Sequence, residues 1–317
     1  MDISIVVPLY NEEESLLPLY EWIERVMKDN KFTFEVIFIS DGSTDSSWKI
    51  IETLKEQHPE QVKGIKFRNN YGKSPALYCG FQAAKGDVVI TMDADLQDSP
   101  DEIPALYSMI VNDGYDLVSG WKKKRYDSKL TKNLPSKLYN ATARKVTGLK
   151  LHDMNCGLKA YRNEVVKSIE VYGETHRYIP YLAKNAGFTK IGEKVVEHRK
   201  RQFGETKFGL DRFVNGYLDL ITLWFLAKFG KKPMHFFGLW GSLMFLLGLV
   251  AVCAVGFSKL IALYTGVHAP LVTSNPYFYL ALTAMLLGTQ LFLAGFVAEL
   301  ISRNSSERNN YSIEKEI

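Results

Sequence analysis

Gly86-Asp-Val-Val-Ile-Thr-Met-Asp-Ala-Asp-Leu-Gln-Asp-Ser-Pro100 decides how the rest of the chain is read. Val88, Val89, Ile90 and Met92 form a short, nearly unbroken apolar run, as expected of a strand buried on both faces. The run stops at Asp93-Ala94-Asp95. Carboxylates two residues apart on extended backbone point to the same side, and the small Ala94 between them leaves room for a ligand. Two such charges about 4 Å apart repel by about 4 kcal/mol at an effective dielectric of about 20, a load that a cation would relieve. Gln97 adds a neutral oxygen. Hard oxygen donors without Cys or His suit Mg²⁺ or Mn²⁺, held by few carboxylates, several waters and a substrate phosphate. Taken alone, Asp-x-Asp also fits a solvated acidic turn capping a helix that starts near Pro100. Its place after a buried strand favours the metal.

Upstream, strand and helix alternate. Ile3–Pro8 reads as a strand, Glu12–Lys28 as an amphipathic helix, and Glu35–Ser40 as a second strand. Asp41-Gly-Ser-Thr-Asp45 then leads into a helix to about Gln57, with Ser43 or Thr44 as its cap. A third strand, Gly64–Arg68, is followed by Asn70-Tyr-Gly-Lys73 and a helix over Pro75–Ala84; a further strand is expected at Asp116–Ser119. This alternation predicts an α/β domain with a mostly parallel sheet covered on both faces. Ligands of such sheets bind outside the carboxyl ends of the strands. Here those ends carry Pro8–Glu12, Asp41–Ser43, Asn70–Lys73 and Asp93–Asp95. Neither a Gly-x-Gly-x-x-Gly fingerprint nor a phosphate-loop lysine motif is present.

Charge is spread unevenly over the 317 residues: dense to about residue 232, then nearly absent. A net charge of +4 gives no reason to invoke nucleic acid. Three separated cysteines offer neither a disulfide framework nor zinc spacing, and six scattered histidines form no cluster. With a strand from Ile3, no cleavable signal peptide is expected. Phe236–Phe257 and Tyr277–Ala298 contain no charged residue and are each long enough to cross a bilayer. Lys228, Lys231 and Lys232 precede the first span and Arg303 and Arg308 follow the second, whereas Thr265–Pro276 between them has no Lys or Arg. The positive-inside rule therefore places both termini and the charged domain in the cytoplasm. Residues 208–229 read as an amphipathic, aromatic-rich helix that either lies in the headgroup plane or packs into a core.

Val6-Val-Pro-Leu-Tyr-Asn-Glu-Glu13, Ser40-Asp-Gly-Ser-Thr-Asp45 and Met92-Asp-Ala-Asp-Leu-Gln-Asp98, in this order, resemble the inverting GT-A glycosyltransferases of family 2. Asp153-Met-Asn-Cys-Gly-Leu-Lys159, His176-Arg-Tyr-Ile-Pro180, Arg201-Gln-Phe-Gly-Glu-Thr-Lys207 and the paired spans narrow the resemblance. They are similar to polyprenyl-phosphate glycosyltransferases, relatives of dolichol-phosphate mannose synthase. The resemblance implies a Rossmann-like GT-A domain over 1–207, a juxtamembrane helix over 208–232, a two-helix membrane hairpin over 233–303 and a cytoplasmic tail over 304–317.

The same resemblance implies roles. Pro8, Tyr10, Glu12 and Asp41 match positions that hold the base and ribose of a nucleotide; Gly72, Lys73, Asp93 and Lys122 would lie near it. Asp93, Asp95 and Gln97 match metal-binding positions. Where relatives often have Gly-x-Arg beside the diphosphate, this chain has Gly120-Trp121-Lys122, which lacks the planar fork of an arginine. Asp153 matches the candidate base and Asp95 the metal-bearing catalytic carboxylate; Arg177, Arg201 and Lys207 are suited to the acceptor phosphate. The implied reaction is metal-dependent hexose transfer to undecaprenyl phosphate at the cytoplasmic membrane face, with UDP-glucose as donor, by a homo-oligomer that binds no nucleic acid. GDP-mannose as donor, or a catalytically silent scaffold of the same fold, are the alternatives.

Overall fold

The computed structural model describes residues 1–123, 147–173, 175–199, 233–266, 271–304 and 313–317, together with Arg144, Phe225 and Phe229. Strands β1 (Ile3–Leu9), β2 (Phe34–Ser40), β3 (Val62–Phe67), β4 (Val88–Thr91) and β5 (Leu117–Trp121) fall where the apolar runs place them. Three further strands, β6 (Lys159–Arg162), β7 (Ile191–Val195) and β8 (Ile313–Glu316), complete one sheet in the order β7-β5-β6-β4-β1-β2-β3-β8. β4, β1, β2 and β3 are parallel, β5 and β7 are parallel to each other, and β6 runs antiparallel between β4 and β5.

The helices are α1 (Leu16–Asp29), α2 (Ser47–Gln57), α3 (Lys73–Ala83), α4 (Ile103–Val111), α5 (Asn163–Ser168) and α6 (Ile179–Asn185). Alternate residues of the strands bury to opposite faces. Ile3, Ile5 and Val7 of β1 meet Leu16, Leu19 and Ile23 of α1, Ile51 and Leu54 of α2, and Ile103 and Leu106 of α4. Val6, Ile37, Ile39 and Val89 meet Ala76, Leu77 and Phe81 of α3 with Val165 and Ile179 of α5 and α6. Two helical layers thus cover both faces and leave the strand ends as the place where loops gather.

Residues 313–317, expected as part of a tail, form an edge strand and its end. β8 runs antiparallel beside β3, and Ile317 exchanges two backbone hydrogen bonds of 2.8 Å with Gly64.

The second compact unit contains α7 (Pro233–Tyr264) and α8 (Pro276–Asn304), both long and apolar enough to cross a membrane. Large apolar side chains such as Leu247, Val250, Leu260, Leu286 and Phe296 are exposed on them, the arrangement expected where lipid is the solvent. The two helices touch through glycines one heptad apart on each. A Cβ on Gly241 would lie 2.6 Å from the Gly288 carbonyl, and one on Gly248 2.7 Å from the Ala281 carbonyl. Gly295 similarly faces Phe237. Small residues let helix backbones approach where no hydrophobic effect draws them together.

Candidate active site

At the carboxyl ends of the parallel strands, four loops are joined side by side. After β1, the Asn11 N–H donates to Ser43 Oγ and Asn11 Oδ1 accepts the Thr44 N–H at 2.8 Å. The Glu12 N–H donates to Ser47 Oγ, and Glu13 Oε2 accepts the Ser46 N–H at 2.7 Å. Asn11 holds a left-handed backbone (φ 54), a conformation a short polar side chain tolerates. After β2, the buried Asp41 accepts the Tyr71 N–H on one oxygen (2.7 Å) and the Gly72 N–H on the other (2.8 Å). Burial raises the pKa of this carboxyl against the lowering effect of those two donors. Gly42 (φ 70) permits the contact, since a Cβ there would stand 2.5 Å from the Asn69 backbone. Pro8, within β1, is half-buried, and Tyr10, just after it, is 36% exposed.

The third and fourth loops meet through charge. Lys73, the first residue of α3, pairs with Asp93 through Nζ and Oδ1. Burial would raise the Asp93 pKa, but Lys73 and then Lys122 hold it well below the ordinary carboxylate range. Lys122 itself pairs with the fully buried Asp98 at 2.7 Å. Burial would lower the Lys122 pKa; Asp98, with Cys156 and Asp93, keeps it above the usual lysine value. Asp98 also reaches the Asp93 N–H at 3.3 Å. Between them the chain turns sharply: Asp95 Oδ1 accepts the Gln97 N–H at 3.2 Å, and Leu96 is left-handed (φ 59). A non-glycine residue in that conformation is strained, and such strain is concentrated at functional turns. The backbone of Gln97 is fixed in turn by Arg199, whose N–H donates to the Gln97 carbonyl at 3.0 Å.

Behind this turn lies the 153–157 loop. Glu193 of β7 accepts the N–H groups of His152 (2.8 Å) and Asp153 (3.0 Å) and contacts His152 Nδ1 at 2.7 Å. His152 stacks on Trp121, with ring centroids 4.1 Å apart. Asp153 is 2% exposed, and its Oδ1 accepts the Asn155 N–H at 3.2 Å. Gly157 closes on Asp93: a Cβ there would lie 2.5 Å from Asp93 Oδ2. On the other side, Ser74 Oγ accepts the His176 N–H at 3.0 Å. Burial, with Lys73 and Arg177 nearby, pushes the His176 pKa well below its ordinary value.

Residues 4–170 match the model of glycosyl transferase family 2. The chain is 32% identical to a dodecaprenyl-phosphate galacturonate synthase of Rhizobium johnstonii, over 96% of this chain and 88% of that one. It is 33% identical to an undecaprenyl-phosphate 4-deoxy-4-formamido-L-arabinose transferase of Pseudomonas savastanoi, over 99% and 90%. This chain belongs to glycosyl transferase family 2. Its fold is shared with glucosyl-3-phosphoglycerate synthase of Mycobacterium tuberculosis, in a structure with Mn²⁺, UDP-glucose and phosphoglyceric acid. There the TM-score is 0.50 and the identity 21%, over 71% of this chain and 79% of that one.

Within this glycosyltransferase, the structure brings Tyr10, Glu12, Asp41, Gly72, Lys73, Asp93, Asp95 and Gln97 onto one connected rim. Lys122 sits beneath the rim in its pair with Asp98. Arg177 is 8% exposed beside His176, in the segment that packs on Ser74. Arg201, Lys207 and the helix expected over 208–229, apart from Phe225 and Phe229, lie outside the described residues. Among the described residues no three His, Cys, Asp or Glu side chains gather about one point. A divalent cation here would therefore draw on Asp93, Asp95 and Gln97 together with oxygens brought by water and substrate, and this hard, sparse donor set fits Mg²⁺ or Mn²⁺. Sequence reasoning missed Asp98, Lys159 and Glu193. Asp98 and Lys159 stood in quoted motifs, and a lone lysine in the apolar run around Leu158 and Ala160 was the available signal.

Proposed function

We propose that this glycosyltransferase moves a sugar from a nucleotide sugar to a polyprenyl phosphate, inverting the anomeric carbon. The supporting observation is the joining of the Asp41 loop, Lys73 and the Asp93–Gln97 turn into one rim, in a chain that also carries two membrane-length helices. Two relatives covering nearly the whole chain are named for transfer to dodecaprenyl or undecaprenyl phosphate.

In this reading Pro8, Tyr10, Glu12 and Asp41 flank the base and ribose, and Gly72 and Lys73 approach the diphosphate. Breaking the sugar–phosphate bond builds negative charge on the departing nucleotide. Asp95 and Gln97, with Asp93 beside them, would hold a divalent cation, which would supply Lewis acidity for that charge. Lys73 adds a fixed positive charge at the same place. The acceptor, a phosphate monoester with a second pKa of about 6, is already largely dianionic at neutral pH. Removing a proton is thus a minor task, and Asp153, whose carboxylate caps its own turn, serves chiefly to order the loop facing the acceptor. Arg177, Arg201 and Lys207 offset the repulsion between two anionic substrates.

UDP-glucose is the donor this reading names first, with uronic acid and formamido-pentose donors as rivals suggested by the relatives. Purified protein in nanodiscs, given undecaprenyl phosphate and Mg²⁺ or Mn²⁺, should transfer label from one of a panel of UDP- and GDP-sugars. Transfer from GDP-mannose alone would replace the UDP assignment. Absence of transfer from every donor, with nucleotide still bound, would mark the chain as a scaffold.

A further inference from the structure

Thr91, Lys159 and Ser119 stand directly opposite one another across β4, β6 and β5, so their side chains share one face of the sheet. All three are buried at the end of that face, just beneath the 153–157 loop. Each reaches a carbonyl of that loop. Thr91 Oγ1 donates to the Gly157 carbonyl at 2.8 Å, Lys159 Nζ donates to the Cys156 carbonyl, and Ser119 Oγ lies 3.5 Å from the Asp153 carbonyl. Tyr161, next on the same face, has its hydroxyl 3.3 Å from Thr91 Oγ1.

A lysine 3% exposed inside a sheet is costly unless its Nζ is hydrogen-bonded, and burial pushes its pKa below the usual lysine value. Its role is visible in what the gripped carbonyls belong to. Gly157 lies so close to Asp93 that even a methyl group would collide with both carboxylate oxygens. Lys73 pairs with the same carboxylate through Oδ1. The Asp93 side chain is therefore confined between Lys73 and the Gly157 backbone, and the position of that backbone is set by Lys159 and Thr91.

We infer that Lys159 is a positioning residue of this glycosyltransferase: with Thr91 it fixes the Cys156–Gly157 turn against Asp93 and so sets the orientation of a metal-side carboxylate it does not touch. This rests on the proposed role of Asp93 at the metal and nucleotide.

The test is Mn²⁺ binding in the presence of UDP, followed by electron paramagnetic resonance on the full chain in nanodiscs, for Lys159→Met, Thr91→Val, Gly157→Ala and Asp93→Asn. Lys159→Met keeps most of the stem and removes the Nζ donor; it should weaken Mn²⁺ binding by about tenfold, as loss of a supporting contact around a metal site does. In turnover the Mn²⁺ requirement should rise by the same factor while the KM for the lipid phosphate stays within about twofold, a split that general destabilisation does not produce. Thr91→Val should act in the same direction, and it decides the matter if Lys159→Met does not fold. Gly157→Ala drives a methyl group into Asp93 directly, so combining it with Lys159→Met should give less than the product of the two separate effects. Unchanged Mn²⁺ binding in folded Lys159→Met and Thr91→Val, or effects that multiply in full, would overturn the inference while leaving the role of Asp93 intact. Unchanged Mn²⁺ binding in Asp93→Asn would instead remove that role, and the inference with it.

Discussion

Asp41 shows how much one side chain can organise. Both of its oxygens accept from backbone N–H groups of the neighbouring loop, so it shapes that part of the rim before any ligand arrives. Asn at this position offers one acceptor oxygen to two donors and leaves one N–H without its partner. That loss is worth about 1–3 kcal/mol for a buried group, and Asp41→Asn should weaken nucleotide binding by about tenfold or more with lipid KM little changed. Calorimetric titration with UDP against the wild type reads this directly. Glu35, at the opposite end of the sheet, carries stability instead. It is fully buried, 2.5 Å from Lys63, and accepts from Ser4 Oγ (2.6 Å) and the Lys85 N–H (2.7 Å). Burial would raise its pKa, yet these partners hold it below the ordinary value of 4.5. A carboxyl depressed on folding stabilises the protein above its unfolded pKa, and that contribution fades as pH falls through the folded value. Glu35→Gln should therefore cost about 2 kcal/mol at neutral pH and flatten the acid limb of the stability curve below about pH 4.5. Thermal unfolding at pH 7 and pH 4 measures both. Of these residues, Asp41 was legible from its place at the carboxyl end of an apolar strand, where ligands of such sheets bind. Its partners at 71 and 72, the Lys122–Asp98 pair and the buried Lys159 were not, since each depends on which strands become neighbours.

Elements were legible in proportion to the continuity of their apolar runs. β1 to β5 announce themselves by Val, Ile and Phe, and α1 by a buried stripe of Leu16, Leu19, Tyr20, Ile23 and Met27. β6 has four residues, two of them charged, and β7 is only partly buried, so neither run stands out. β8, Ile-Glu-Lys-Glu, carries almost no apolar signal. It is held by β3, by a Lys315–Glu52 pair and by Lys315 over the Trp48 ring at 6.0 Å, none of which a local pattern reveals. Yet it shields the β3 edge, and an uncovered edge strand invites pairing with other chains. Deleting residues 313–317 should lower the melting temperature by about 5 °C, as expected for about 2 kcal/mol in a domain of this size, and should increase aggregation on heating. An unchanged melting temperature would mean that β8 contributes nothing to the sheet it completes.

At the scale of the whole molecule, the proposed function has one substrate soluble in water and the other confined to a lipid layer, which requires the rim to lie on the side of the membrane where nucleotide sugars are found. The chain encodes that choice in its charges rather than in its fold. Lysines gather before α7 and arginines after α8, while residues 265–276 between the helices have neither Lys nor Arg. α7, at 32 residues, is about 48 Å long and exceeds the roughly 30 Å hydrocarbon layer. Moving basic residues across the bilayer is the costly alternative, so the positive-inside rule predicts the turn near Ser274 outside and the charged domain inside. In intact cells, Ser274→Cys should react with a membrane-impermeant maleimide, whereas Glu14→Cys, exposed on the catalytic domain, should react only after the membrane is opened. The reverse labelling pattern would put the rim on the side without nucleotide sugars, and a transfer reaction that depends on them could not then proceed.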